Sequence, residues 1–382
     1  MSGRVSPPVG VYIHVPFCRR KCPYCDFYSV GATESLLDAY TDETVRRVRE
    51  LRGESVAADT VYFGGGTPAL LGGRRLARIL DALSGAVCLA RDAEMTVEAN
   101  PAADLLEFLR EAAEAGVNRL SLGMQSAVES ELKALGRSHS PDDVKRSMEA
   151  AHAAGIHNLS LDLMLGIPLQ TPDTLAQSLD FLRETAPSHV SAYLLKIEEG
   201  TAFYRRKDSL PVADEDGQAD LYLQTFDSLD RMGYTQYEIS NAARDGLWGK
   251  HNLKYWNDEE YIGIGPGAHG FFRRERYAFG RSLKDYLAGA QPIPDGRGGS
   301  LTEYVMLRLR LREGLTDQGM RERFGHGIPP VLRKGVCRMP FRRFFDCDDT
   351  HIALTRDGML LSNPLIGEMI GWLEEAEAAE KD

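Results

Sequence analysis

The 382-residue chain has no run of about 18 or more apolar residues, so no transmembrane helix is expected. Its first ten residues carry one Arg and no apolar core, which excludes a secretory signal and makes the cytoplasm the expected location. Positive charge is in short supply: 45 Lys and Arg face 56 Asp and Glu, a formal net charge of −11. That balance argues against general binding to nucleic acid, which needs a basic footprint. The local runs Arg273–Arg276 and Arg342–Arg343 are short and read as solvated surface. No long-period repeat and no low-complexity tract is present. Cysteine is scarce too, with six in the chain. In a reducing compartment a disulfide framework is not expected, and clustered thiols are read as metal ligands or reactive groups.

What is present is an alternation of short β-rich runs and longer amphipathic stretches. Strands are expected at Val9–Val15, Thr60–Phe63, Met95–Glu98, Arg119–Leu122, Asn158–Leu165 and Val190–Leu194. Helices are expected at Glu34–Leu51, Arg74–Leu83, Ala103–Ala115, Pro141–Ala154 and Pro172–Glu184. The alternation implies βαβ units and a parallel sheet, as a partial barrel or a doubly wound sheet. In either, functional residues gather at the C-terminal ends of the strands. Further helices are expected at Glu215–Met232 and Thr302–Arg312, the latter after a Pro- and Gly-rich boundary at Gln291–Ser300. The pattern divides the chain into residues 1–290 and a small module over 300–382. In that module His351–Leu361 reads as a hairpin, which suits a winged-helix-like unit, and Glu374–Asp382 as the frayed end of a helix.

Three of the six cysteines, Cys18, Cys22 and Cys25, form a CxxxCxxC directly after the first expected strand. Three thiolates on one loop can wrap one face of an iron–sulfur cube, for which four are usual. The missing fourth leaves one iron open, as in catalytic rather than structural metal sites. A structural zinc site would need a fourth ligand, and no second CxxC or HxxxH lies nearby. A redox dithiol at Cys22-Pro-Tyr-Cys25 would leave Cys18 unexplained. The cluster reading is preferred.

The segment Tyr12-Ile-His-Val-Pro-Phe-Cys18, followed by Cys22 and Cys25, resembles the radical S-adenosylmethionine (SAM) superfamily. More narrowly it is similar to the branch holding oxygen-independent coproporphyrinogen dehydrogenases and the HemW group of heme chaperones. The resemblance extends through Gly64–Pro68, Glu98–Pro101, Leu122–Ser126, Leu135–Ser140, Asp162–Pro168 and His251–Trp256. It implies a partial (β/α)6 barrel, a [4Fe-4S] cluster on the three cysteines, and SAM chelated to the open iron and cleaved to a 5′-deoxyadenosyl radical. By the same carry-over Gly65, Gly66 and Thr67 take the methionine end, Tyr24 sits near the adenine and Tyr12 near the cluster. Glu98, Gln125, Arg137 and Asp162 line the pocket. Gly265-Pro-Gly-Ala-His269-Gly270 also matches GxGxxG, but no helix and second parallel strand follow to make a dinucleotide site.

Two departures separate the chain from the dehydrogenases. Their CxxxCxxCxC is interrupted here by Phe27, and an extension before the cluster loop is not expected. The HemW group instead carries a His-Asn-x-x-Tyr-Trp segment, present as His251–Trp256. The resemblance makes His251 the heme candidate, with the iron ligand itself left open; packing is the alternative reading of the same residues. The function expected is a heme chaperone that carries a cluster, SAM and heme, takes electrons from a donor and passes heme to an acceptor protein. Coproporphyrinogen III dehydrogenation, or a related radical SAM reaction, is the second reading. A redox-sensing iron–sulfur scaffold is the third.

Overall fold

The computed structural model describes residues 7–338 and 340–379. Residues 380–382 of the expected frayed tail lie outside them. Six parallel strands succeed one another: β1 (Val9–Val15), β2 (Ala57–Gly65), β3 (Cys88–Ala99), β4 (Arg119–Gln125), β5 (Asn158–Leu165) and β6 (His189–Leu194). Between them run α1 (Glu34–Glu50), α2 (Gly73–Ser84), α3 (Leu106–Glu114), a short α4 (Glu129–Ala134), α5 (Pro141–Ala153) and α6 (Pro172–Thr185). The caps are local chemistry. Thr33 accepts the Leu36 N–H to open α1, and Ser140 and Thr171 each begin a capping box with Pro at the first helical position.

The six strands curve into an open barrel whose two edges do not meet. After α7 (Glu215–Arg231), β7 (Thr235–Gln236) and β8 (Asn241–Ala243) extend the β6 edge antiparallel. On the other edge, beyond α8 (Lys250–Trp256), β9 (Tyr261–Ile264) adds parallel to β1. Antiparallel β10 (His269–Phe272), β11 (Glu275–Ala278) and β12 (Ile293–Arg297) follow, giving one twelve-stranded sheet. The fold is therefore the partial (β/α)6 barrel, and a doubly wound sheet is excluded by strand order. β1 and β4 are buried on both faces, so they read as near-continuous apolar runs rather than as alternation.

After α9 (Leu283–Leu287), the C-terminal stretch holds α10 (Leu301–Arg308), β13 (Leu315–Thr316), α11 (Asp317–Phe324), α12 (Pro330–Val336), β14 (Phe345–Cys347), β15 (His351–Leu354), α13 (Arg356–Leu360) and α14 (Ser362–Ala379). Its three strands form a sheet of order β13-β15-β14 over a buried cluster separate from the barrel core. The hairpin expected over His351–Leu361 is corrected: only β15 is extended. Thr355 Oγ1 then accepts the Gly358 N–H and starts α13, so the cap residue rather than the glycine decides the local structure.

Phe63, on β2 directly before the glycine loop, is 1% exposed. Phe63→Ala should lower stability by about 3–5 kcal/mol. Urea unfolding of the cluster-free protein, followed by far-UV circular dichroism, measures this; a loss below about 1 kcal/mol would contradict the core placement.

Candidate functional site

The loop after β1 is held at both ends. Cys18 N–H donates to Val30 O at 3.0 Å, Val30 N–H to Pro16 O at 2.7 Å, and Cys25 N–H to Cys22 O at 3.2 Å. Cys18, Cys22 and Cys25 are free, half-buried thiols that line one cavity of about 290 Å³ at the C-terminal ends of the strands. Among the described residues no three His, Cys, Asp or Glu side chains converge tightly enough to hold a single metal ion. Two groups lie against sulfur: Arg137 Nη1 donates towards Cys22 Sγ at 3.7 Å, and the Thr67 hydroxyl and Cys18 Sγ share a contact of 3.7 Å.

The Gly64–Pro68 loop folds against this one. Gly66 N–H donates to Val15 O at 2.8 Å and Thr67 N–H to Phe17 O at 2.7 Å. A Cβ on Gly66 would sit 2.6 Å from Phe17 O, so only glycine allows the approach. Gly65 N–H is also committed, to Glu98 Oε2 at 3.2 Å. What this loop offers a ligand is therefore carbonyl oxygens and the Thr67 hydroxyl, not backbone N–H groups. Asn100 Nδ2 donates to Thr67 Oγ1 at 3.0 Å, and Arg137 Nη2 to Asn100 Oδ1 at 2.6 Å, which joins the glycine loop to the far wall.

Glu98 and Asp162 are half-buried and line the barrel interior. Tyr62 donates to Glu98 Oε1 at 2.8 Å and Ser121 to Asp162 Oδ1 at 3.2 Å. Burial raises both carboxyls; Asp162, with Glu98 as neighbour, is pushed up to about 7. Gln125 has φ 66, a strained conformation for a non-glycine residue, and its Oε1 accepts from Tyr193 at 3.1 Å. Tyr24 lines the same cavity and packs on Phe203. Sequence reasoning missed Arg119, Ser121, Ser160, His189, Ser191 and Tyr193, which line the cavity from β4, β5 and β6. Their signal was a period of two: residues 119, 121, 123 and 125 of β4 all face inward.

Two sequence candidates lie elsewhere. Tyr12 and His251 do not line the cavity. Tyr12 donates towards His14 Nδ1 at 3.0 Å and packs against the rings of Tyr62 and His251. His251 is 1% exposed, with Nδ1 2.8 Å from Thr60 Oγ1 and Nε2 2.8 Å from the Tyr255 hydroxyl. Burial lowers its pKa to about 3. With both ring nitrogens engaged inside the core, the geometry favours packing over iron ligation for this histidine. The Gly265 turn, at φ 121, passes close to His14 O as β9 ends, while His269 is exposed on β10.

The comparisons accord with this arrangement. The family model of the radical SAM superfamily matches residues 12–182. Heme chaperone HemW of Mycobacterium tuberculosis is 36% identical over 95% of this chain and 95% of its own length. HemW of Escherichia coli is 40% identical over 69% of this chain and 70% of its own. The chain belongs to the HemW family of radical SAM proteins. The solved coproporphyrinogen III oxidase HemN of E. coli superposes with a TM-score of 0.80 at 21% identity, covering 95% of this chain and 90% of that one, a likeness of fold. Membership brings the superfamily's cofactors, a [4Fe-4S] cluster and SAM. The thiol loop, the groups against its sulfurs and the polar cavity behind it fit both.

A carboxyl raised on folding favours the folded state in its protonated form. The Asp162 contribution is complete below the unfolded value near 4 and is lost as pH rises through about 7. Asp162→Asn should raise the urea midpoint of the cluster-free protein over wild type by a margin that widens from pH 6 to pH 8.5. A margin independent of pH would show that Asp162 is already ionised in the fold.

Proposed function

We propose that this protein is a heme chaperone: it binds heme and passes it to an acceptor protein, with a [4Fe-4S] cluster and SAM as resident groups. The observation that carries the reading is 36% identity to a heme chaperone along 95% of both chains. Phe27, in the place where the dehydrogenase pattern has a fourth cysteine, supports it against the alternative.

In this reading Cys18, Cys22 and Cys25 hold three irons and leave the fourth open. Gly65, Gly66 and Thr67 would take the methionine end of SAM. Glu98 keeps a free lone pair on each oxygen beside its Tyr62 and Gly65 bonds, which suits ribose hydroxyls. Tyr24 covers the adenine, and Gln125, Arg137 and Asp162 complete the wall. Bound together, the cluster and SAM supply one-electron chemistry at the sulfonium; Arg137, close to Cys22 Sγ, holds positive charge against the sulfurs. Thiolates kept free for iron require a reducing compartment, which supports the cytoplasm. Two separate apolar clusters support reading residues 1–290 and 300–382 as two units.

Anaerobic reconstitution should give about four irons per chain, lost when Cys18, Cys22 or Cys25 becomes Ala; one zinc per chain would overturn the cluster assignment. Heme should give a saturable Soret shift in the wild type. His251→Ala should leave that shift in place, and its loss would return the histidine to the heme site. Protoporphyrinogen formed from coproporphyrinogen III with SAM and reductant would overturn the chaperone reading in favour of the dehydrogenase.

A further inference from the structure

The interior cavity, about 290 Å³, is lined by the residues that the cluster and SAM would use. A groove of about 730 Å³ lies at the opposite end of the barrel, walled by the Tyr234–Tyr237 segment, Trp248, Leu253 on α8 and the Leu311–Glu313 turn after α10. A second depression of about 490 Å³ continues it past Arg312 and Arg356 towards Phe345. Its floor is fixed by backbone pairing: Ile239 N–H donates to Arg310 O at 2.9 Å and Arg312 N–H to Tyr237 O at 3.0 Å.

The lining selects for chemistry. Trp248 is 42% exposed, yet it is held flat on Tyr237, with ring centroids 5.4 Å apart and planes 15° apart. One indole face is thereby presented to the groove in a fixed orientation, flanked by Leu253 and Leu311. The carboxylates there are already engaged, Asp230 by Arg356 at 2.6 Å and Glu313 by Arg308 at 2.5 Å. Arg312, exposed on the same wall, has no carboxylate within 4.0 Å among the described residues. A flat apolar ligand with an acidic edge fits this combination.

We propose that this groove is the heme seat, with the macrocycle on Trp248 and a propionate at Arg312. The inference rests on the heme-chaperone reading and gives it a location. No His, Cys or Met lines the groove among the described residues. The Tyr234 hydroxyl is spent on Pro187 O at 2.6 Å and that of Tyr237 on His189 Nε2 at 2.8 Å. The seat therefore holds the ring rather than the iron, and transfer to an acceptor breaks no iron–protein bond.

The test is a pair of titrations on the full-length, cluster-reconstituted protein, one with hemin and one with iron-free protoporphyrin IX. Both should bind with similar affinity and compete, because the groove grips the ring. Trp248→Ala and Arg312→Glu should each weaken both ligands roughly tenfold, with far-UV circular dichroism and SAM binding unchanged. Wild-type affinity in both variants, or failure of protoporphyrin to compete, would overturn the groove while leaving the chaperone function standing. No saturable hemin binding by the wild type would remove the function itself.

Discussion

The functional end of the molecule depends on one clamp. Two hydrogen bonds, Gly66 N–H to Val15 O and Thr67 N–H to Phe17 O, tie the loop after β2 to the loop after β1. They require Gly66, because any side chain would drive into Phe17 O. Once the clamp is made, Thr67 stands beside Cys18 and Asn100 reaches Thr67. Arg137 then reaches both Asn100 and Cys22. Cysteines separated by local sequence and an arginine more than a hundred residues away thus share one rigid frame. A thiol set meant to grip a preformed cube needs this rigidity, since the irons cannot adapt to scattered sulfurs.

The same frame is electrostatically expensive. Glu98 and Asp162 are half-buried with Tyr62, Gly65 and Ser121 as their hydrogen-bond partners, and Arg119 is buried with Nε unsatisfied. Arg119 has Glu94 at 4.0 Å as its carboxylate neighbour, and burial dominates the shift of both cavity carboxyls. Gln125 adds backbone strain at the end of β4. Such groups persist where a polar ligand completes them, and each faces the cavity beneath the cysteines. The barrel wall supplies the stability that tolerates this cost: β1, β2 and β4 carry residues with almost no exposed surface.

Most of this was legible because the cluster loop and glycine loop are continuous motifs. Cys18 to Cys25 and Gly64 to Pro68 state their spacing directly, and the strands on either side are strong apolar runs. The interior wall was harder to see. Arg119, Ser121 and Gln125 alternate on β4 between Leu120, Leu122 and Met124, yet both faces are buried, so the inward face looked like interruptions of an apolar strand. β3 was read four residues long and runs from Cys88 to Ala99, because charged, exposed Arg91 and Asp92 mask its first half. Thr355 was invisible as a cap because Gly358 behind it resembled a turn residue.

His251 shows how a motif can be real while the role first given to it is not the one the fold favours. The amides of Lys250 and His251 both donate to the Glu94 carboxylate at 3.0 Å, which anchors α8 across the N-terminal ends of the strands. A Cβ on Gly10, near the start of β1, would lie 3.0 Å from the His251 ring, so the strand and the helix have accommodated each other. The imidazole bridges Thr60 and Tyr255 and stacks on Tyr62, whose hydroxyl holds Glu98. The helix is therefore a partition. Asn252 faces the inner cavity while Leu253, the next residue, faces the outer groove, and His189 bonded to Tyr237 spans the same wall. With Nδ1 on Thr60 and Nε2 on Tyr255, the imidazole is spent on holding that partition together, and the motif is explained by packing without a ligand on either side.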